Sequence, residues 1–129
     1  MTTVFNNTVT TSISDNYVLT TLMHRVTEVK RKVKPIGETT IIEITHHSPF
    51  LIEGYVDVSG LDTNDSVIIR EYIADKIYLI RRIDGGIDEP MLRLHSKIIP
   101  SNTSYKVTVE WVAGTPKEID VAFIILAFS

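Results

Sequence analysis

The sequence contains no cysteine and no long apolar run. The absence of cysteine excludes disulfide bonds, thiolate metal ligands and cysteine nucleophiles from the chain. The longest apolar run, at 121–128, is far shorter than the ~20 residues that a membrane-spanning helix requires. The first eleven residues contain neither a basic region nor an apolar run. We therefore expect no secretory signal and no membrane span.

Neither sign of charge dominates the chain, because its formal net charge is −3. The whole chain consequently provides no reason to expect a polyanionic partner. A hydrophobic content of 43% argues against a disordered chain. The length of 129 residues favours a single domain, 1–129. We divide it into an N-terminal strand/helix segment, 1–37, and a β-sandwich, 38–129.

From residue 39 onward apolar and polar residues mostly alternate, a pattern typical of strands with one buried face. The turn residues between them include Asp-Gly-Gly at 84–86, and residues 4–13 could supply a further strand. The sequence therefore predicts a mainly β fold, an antiparallel β-sandwich of seven or eight strands that is jelly-roll-like. The seven predicted strands span 39–46, 50–58, 66–74, 76–83, 90–99, 104–112 and 119–128.

Residues 14–34 do not alternate in this way. Their apolar residues recur at intervals of three or four, at Val18, Leu22, Val26, Val29 and Val33. This spacing predicts one N-terminal helix, with a possible cap at its start and Pro35 after its end. The valines and threonines of the segment favour a strand instead. We predict a helix.

The sequence Gly60–Tyr72 raises the question of a cation site, because it places Asp62, Asn64 and Asp65 close together. Calcium requires six to eight oxygen ligands, and no glutamate follows at the spacing that would close such a loop. Asp and Asn also stabilise turns through hydrogen bonds to nearby backbone groups. We therefore interpret these residues as a turn between two strands.

Other signs of catalysis are weak. His46 and His47 would point to opposite faces of an extended strand, so they would not share a metal ion. The sequence contains no Gly-x-Ser-x-Gly motif and no glycine-rich phosphate-binding loop. The acidic pairs Asp88–Glu89 and Asp62–Asp65 could in principle act as acid and base. We expect no enzyme, no cofactor and no metal.

A basic segment lies within the predicted helix. It could contact nucleic acid or an acidic protein, but a solvated helix face explains it better and no aromatic residues accompany it. Binding to nucleic acid is therefore possible but not favoured. The segment comprises Arg25, Lys30, Arg31, Lys32 and Lys34.

The last predicted strand, 119–128, is apolar on both faces apart from Asp120. An ordinary strand with one solvated face would not show this pattern. Either the predicted helix or another copy of the protein covers its outer face, and both could hold together. We predict a homo-oligomer whose interface contains Leu22, Val26, Val29, Phe123, Ile125, Leu126 and Phe128.

Two segments, EGYVDVSGLDTNDSVIIREYI (53–73) and DEPMLRLHSKIIPSNTSYKVTVEWVAGTPKEIDVAFIILAF (88–128), carry a resemblance to a known class of protein. They resemble small all-β structural proteins encoded by phages and archaeal viruses, over residues ~50–129. Asn64 departs from the pattern, which has glycine there, and the first 45 residues lie outside it. The resemblance implies a virion structural role and transfers no catalytic residue.

The sequence thus leads to a non-enzymatic virion structural protein. It would assemble with itself and with other virion proteins as a capsid, capsid-decoration, spike or tail component. Its location would be the virion, after assembly in the host cytoplasm. The alternative is a ligand- or carbohydrate-binding β-sandwich module that uses exposed Tyr55, Tyr72, Tyr78 or Trp111. A small enzyme with converging histidine and acidic groups is a third possibility.

Overall fold

The computed structural model describes residues 18–19, 26–86 and 91–128. Within these residues the chain forms nine β-strands. Their bounds are β1 Val18–Leu19, β2 Val26–Val33, β3 Glu38–Ile44, β4 Phe50–Asp57, β5 Ser66–Ile73, β6 Lys76–Asp84, β7 Met91–Ile99, β8 Tyr105–Ala113 and β9 Ile119–Ala127.

The strands form two sheets. The first sheet has the order β1-β3-β8-β5-β6, and the second has the order β2-β9-β4-β7. The short β1 is parallel to β3, whereas all other neighbouring strands are antiparallel. Between β2 and β9 the pairing is nested. The first of these eight strands pairs with the last, the second with the seventh, the third with the sixth and the fourth with the fifth.

The mainly β prediction is confirmed, and all seven predicted strands are present. Their bounds differ from the predicted ones by one or two residues at most. Period-two alternation located these strands because one face of each lies against the interior. In β4, for example, the alternate residues Ile52, Gly54 and Val56 are all buried.

The predicted helix is wrong for residues 26–33, which form β2 and pair with β9 along their whole length. The remainder of the predicted helix lies outside the described residues, except for β1 and Lys34, and so does the possible strand at 4–13. In β2, Val29 and Val33 point inward, as do Thr27 and Arg31. Because Thr27 and Arg31 are polar residues at inner positions, the sequence of β2 does not show the alternation of apolar and polar residues that is typical of strands. The described part of the chain has no helix of the length and hydropathy needed to cross a membrane.

The burial of Arg31 has a specific cause. A β-bulge interrupts the pairing of β3 with β8 between Thr40 and Ile42. The Arg31 guanidinium donates a hydrogen bond of 2.8 Å to the backbone carbonyl of Ile41, which lies at this bulge. A buried carbonyl at a bulge needs a donor from elsewhere in the chain, so Arg31 stabilises the junction between β2 and β3.

One apolar cluster joins the inner faces of both sheets. The first sheet contributes residues such as Ile42, Ile69 and Val107, and the second contributes residues such as Phe50 and Phe123. Burying large apolar side chains is the main source of stability in a domain of this kind. The cluster explains why the two sheets stay together without a disulfide bond.

Two turns depend on glycine. Gly114 has a φ of 84°, and a Cβ atom there would lie 1.9 Å from the Asp65 carboxylate. Gly86, in the predicted Asp-Gly-Gly turn, has a φ of 76°. Asp-Gly-Gly is typical of tight hairpins, but this second turn does not close one, because β6 and β7 belong to different sheets. The hairpin between β5 and β6 instead turns at Ala74 and Asp75, which both have positive φ.

Candidate functional site

The residues predicted to form an interface lie in different environments. Val29, Phe123 and Ile125 are buried between the two sheets of this chain. Val26 begins β2 and pairs with Leu126, which is half-buried, and Leu22 lies outside the described residues. Phe128 follows β9 and is 42% exposed. Of the predicted residues with described side chains, Leu126 and Phe128 are therefore the ones that another chain could reach.

The outer face of the second sheet contains a depression of about 450 Å³ above β9. Ala122 lies beside Lys30 on β2 and beside Tyr55 on β4, since it is paired with both. Its methyl group is smaller than the flanking side chains, so the surface is low there and higher on both sides. The depression is lined by residues that include Lys30, Lys32, Tyr55, Asp57, Met91, Asp120 and Ala122.

The rim of this depression is charged. The Lys32 ammonium lies 3.0 Å from the Asp120 carboxylate, and this hydrogen bond is the main reason that the pKa of Lys32 is raised. Hydrogen bonds from the Ser59 side chain and backbone N–H lower the pKa of Asp57. Both signs of charge therefore lie around an apolar floor at neutral pH. This arrangement suits a neutral ligand with several hydroxyl groups better than a polyanion.

Three of the four aromatic residues predicted to bind a ligand are less suited to it than Tyr55. The Tyr72 hydroxyl donates a 2.5 Å hydrogen bond to Glu38, which also raises the pKa of Tyr72. Trp111 is half-buried, with the Lys117 ammonium 5.9 Å from its ring centre. Tyr78 is exposed, but it lies on β6 in the first sheet. Tyr55 lines the depression and is exposed, at 37%.

Strand β6 differs from every other long strand in its exposure. It is the last strand of the first sheet, and within β6 only Ile83 is buried. Ile77, Tyr78 and Ile80 are each more than half exposed. We use the term β6 edge for strand β6, Lys76–Asp84, together with the side of its backbone that faces away from β5. Exposed apolar edge strands are the usual sites at which sheets pair with other chains.

A buried polar cluster lies inside the protein next to the β6 edge. The Tyr105 hydroxyl donates a 2.5 Å hydrogen bond to Glu71, and the Lys97 ammonium lies 2.7 Å from the same carboxylate. Burial, followed by the nearby charge of Glu71, strongly raises the pKa of Tyr105. The cluster borders a cavity of about 120 Å³ that His95 also lines.

This cluster connects the two sheets. Glu71 and Tyr105 belong to the first sheet, whereas Lys97 belongs to the second. Lys97 is located where a β-bulge interrupts the pairing of β7 with β4. Period-two alternation would place Ile98 on the same face as the buried Leu94, but the bulge turns Ile98 toward solvent. The paired charges and the phenol satisfy one another, so the cluster is explained as a structural contact.

The Asp62–Asp65 segment forms a turn. The backbone N–H of Asp62 donates a 2.8 Å hydrogen bond to the Asp65 carboxylate, and the Asp65 N–H donates one of 2.9 Å to the Asp62 carbonyl. The Lys117 ammonium bonds both carboxylates and is the main reason that the pKa of Asp65 is lowered. Among the described residues no cluster of histidine and acidic side chains could hold a metal ion.

The histidine pair differs from its predicted geometry. Strand β3 ends at Ile44, so His46 and His47 follow the strand, and their ring centres lie 4.3 Å apart. His46 is buried, and its Nδ1 accepts a 3.1 Å hydrogen bond from the Ser48 N–H. The pair therefore stabilises the loop between β3 and β4. The acidic residues Asp88 and Glu89 lie outside the described residues.

The basic segment does not form a helix flank where it is described. Lys30, Lys32 and Lys34 are exposed, while Arg31 points inward to Ile41. Lys30 and Lys32 each lie near a carboxylate, that of Glu28 at 3.7 Å and that of Asp120 at 3.0 Å. Arg25 lies outside the described residues. Lys30 and Lys32 therefore share the outer face of the second sheet with acidic side chains.

Sequence reasoning missed the β6 edge and the buried cluster. Nothing in the sequence KIYLIRRI indicates that β6 is last in its sheet or that its apolar residues are exposed. A signal did exist for Glu71. It occupies the same face of β5 as Val67 and Ile69, where a charged residue is unusual and predicts a buried partner.

Comparisons with known proteins assign no family to this chain. No protein-family model matches it, and no curated protein sequence matches it. Among solved structures, the crystal structure of a novel β-glucosidase from Paenibacillus barengoltzii is similar over 90% of this chain. The identity is 6%, the TM-score is 0.38, and the chain spans 13% of the length of that structure. A likeness of this size supports no conclusion about activity.

Proposed function

We propose that this protein is a non-enzymatic structural subunit of a virus particle, a β-sandwich of the jelly-roll type that assembles with itself. The observation that carries the proposal is the nested pairing of eight strands, β2 with β9, β3 with β8, β4 with β7 and β5 with β6. Such pairing is the product of one long hairpin rolled up into two sheets. Eight-stranded jelly rolls of two Greek keys are typical of viral capsid and lectin domains.

Two further observations favour assembly over catalysis. The β6 edge exposes large apolar side chains, and isolated soluble domains tend to protect such edges. The buried polar cluster at Glu71 is occupied by its own internal partners. The resemblance of residues ~50–129 to phage and archaeal-virus proteins supports a place in the particle as a capsid, capsid-decoration, spike or tail component.

The experiment that tests assembly is light scattering on the purified protein across micromolar concentrations. We expect a mass larger than that of the 14.6 kDa chain, rising with concentration. A clean monomer throughout this range would contradict the proposal. The virion role is tested separately by mass spectrometry of particles banded on a density gradient from a culture that carries the gene. Peptides of this chain should band with the particles and not with free cell protein.

A second function, carbohydrate binding, is favoured by the depression above Ala122. Its volume of about 450 Å³ lies within the range typical of small-molecule sites, and Tyr55 offers a ring face beside charged hydrogen-bonding groups. A glycan array and thermal shift would test it. If a glycan binds, we expect Tyr55→Ala to abolish the binding signal. Tyr78→Ala is the control, because Tyr78 is an exposed tyrosine of the other sheet, and it should preserve the signal.

A further inference from the structure

The open side of the β-sandwich contains a small cavity between the two sheets. It lies between β6 and β7, each of which is last in its sheet. Residues of both strands line it, together with Glu71 of β5, and its volume is about 120 Å³. A cavity of about 150 Å³ is able to bind benzene, so this one has room for a group the size of a phosphate or a carboxylate.

Positive charge dominates the lining of this cavity. Of the described residues that line it, Arg81, Arg93 and Lys97 are cationic, and Glu71 is the only acid. The Lys97 ammonium lies 2.7 Å from the Glu71 carboxylate, and the Arg93 guanidinium lies 3.6 Å from that of Glu53. The Arg81 guanidinium has no hydrogen bond and no ion pair with any residue that the structure describes. Within the described part of the chain, no carboxylate therefore balances the charge of Arg81.

Arg81 belongs to the inner face of the first sheet because of its register. From Leu79 to Asp84, β6 pairs with β5 without interruption, and Arg81 lies opposite Ile69. Ile69 is fully buried between the sheets, and directly opposite residues of an antiparallel pair share a face. Arg81 is nevertheless exposed, since β6 is last in its sheet. A charge on an inner face is costly without a partner, and the solvent-accessible cavity leaves room for one.

We propose that this cavity binds a compact oxyanion, a phosphate or carboxylate group, through the Arg81 guanidinium. A guanidinium is always charged, and its planar set of N–H donors matches the oxygens of either group. His95 and Ser96 line the same cavity, and side chains of both types donate hydrogen bonds to such oxygens.

The Glu71 carboxylate does not prevent this binding. The Tyr105 hydroxyl and the Lys97 ammonium contact the same oxygen of Glu71, at 2.5 and 2.7 Å. Two donors, one of them a cation, thus offset the negative charge of Glu71 inside the protein. The charge of Arg81 remains available for an anion in the cavity.

Binding at this site should stabilise the folded chain. The walls of the cavity come from both sheets, so the site exists only in the folded state. A ligand that binds only the folded state raises the free energy of unfolding. The site is separate from the depression above Ala122, and it does not depend on the proposed assembly.

Isothermal titration calorimetry tests the site with two probes, inorganic phosphate and acetate, at an ionic strength held constant with sodium chloride. We expect saturable binding of at least one probe, with one ion per chain, and a matching rise in the midpoint of thermal unfolding. The probe that binds more tightly shows whether the site prefers a tetrahedral or a planar oxyanion. If neither probe binds saturably, the proposal is wrong, whatever light scattering shows about assembly.

Substitutions on β6 locate the site. Arg81→Gln removes the charge and the guanidinium donors, so it should weaken binding by at least about tenfold. Arg82→Gln is the matched control, because Arg82 lies on the same strand but opposite Ile68, on the other face. This control should bind within about twofold of the wild type, since exposed charges on the far face are screened.

Arg81→Lys provides a second variant at the same position. It keeps the charge without the planar donors, so its affinity should lie between those of the wild type and Arg81→Gln. Circular dichroism should show all three variants folded. Equal binding by the wild type and Arg81→Gln, or equal weakening by Arg81→Gln and Arg82→Gln, would overturn the site at Arg81.

Discussion

Strands β9 and β6 are both rich in large apolar residues, yet they have opposite environments. Strand β9 lies between β2 and β4, and its inner residues Phe123 and Ile125 are fully buried. Gly54 on β4 lies opposite Phe123, and a Cβ atom there would come within 2.5 Å of the ring. Strand β6 is last in its sheet and exposes most of its apolar side chains. Position in the sheet, not composition, determines which of them is covered.

The interiors beside the two strands differ as well. Around Phe123 on β9 the interior consists mainly of apolar side chains, whereas beside β6 it contains Glu71, Lys97 and Tyr105 and borders a small cavity. An apolar interior gains stability from burial, while a buried ion pair mainly avoids the penalty of leaving one charge alone. The two regions should therefore respond differently to substitution, and the following experiments measure that difference.

The largest effect is expected at Phe123. Replacing its buried ring by a methyl group removes apolar contacts and leaves a cavity, so Phe123→Ala should lower the free energy of unfolding by about 3–5 kcal/mol. Urea denaturation monitored by circular dichroism measures this. A loss below about 1 kcal/mol would mean that β9 is not the centre of the core.

A somewhat smaller loss is expected beside β6. Lys97→Ala would leave the buried Glu71 carboxylate without its ammonium partner and should cost about 2–4 kcal/mol. The double variant Glu71→Leu with Lys97→Met removes both charges and should cost less than Lys97→Ala alone. If the double variant were the less stable, the pair would be a net source of stability.

Alkaline pH should lower the free energy of unfolding through Tyr105, which belongs to the buried polar cluster next to the β6 edge. An unfolded tyrosine loses its proton near pH 10, while burial keeps Tyr105 protonated to higher pH. Above pH 10 the folded state thus holds more protons than the unfolded state, and the free energy of unfolding falls as pH rises, by at most about 1.4 kcal/mol per pH unit for this group. The raised pKa of Tyr72 acts in the same direction.

The matched control for this pH effect is Tyr105→Phe. Urea midpoints measured from pH 8 to 11 should fall less steeply in this variant than in the wild type. Equal slopes would show that Tyr105 titrates similarly in the folded and unfolded chains.

The smallest effect is expected on the β6 edge itself. Ile80→Ala removes a side chain that is 55% exposed, so the stability of the monomer should change by less than about 0.5 kcal/mol. Urea denaturation at submicromolar protein concentration, where self-association is weak, checks this. A loss comparable to that of Phe123→Ala would mean that β6 is covered within its own chain.

The sequence predicted most of the fold and less of the candidate sites. Strands with one buried face were recognised because alternation is a local property. The same reasoning failed at Arg31. A charged residue is acceptable at an inner position only where a distant group needs a hydrogen-bond donor, and here that group is the carbonyl of Ile41. Tyr55 is one of the four aromatic residues that the sequence offers for binding a ligand, but its place beside Ala122 depends on the register between β4 and β9.

By itself, the sequence determined where seven strands lie, which residues of most of these strands face inward and where glycine permits a turn, because these depend on neighbours along the chain. Tertiary structure decided that residues 26–33 are a strand, because their partner β9 is about ninety residues away. It likewise decided that β9 is central and β6 is last in its sheet. Exposure of a strand is a property of its neighbours in space, and strand order is set by long-range pairing that no local pattern records.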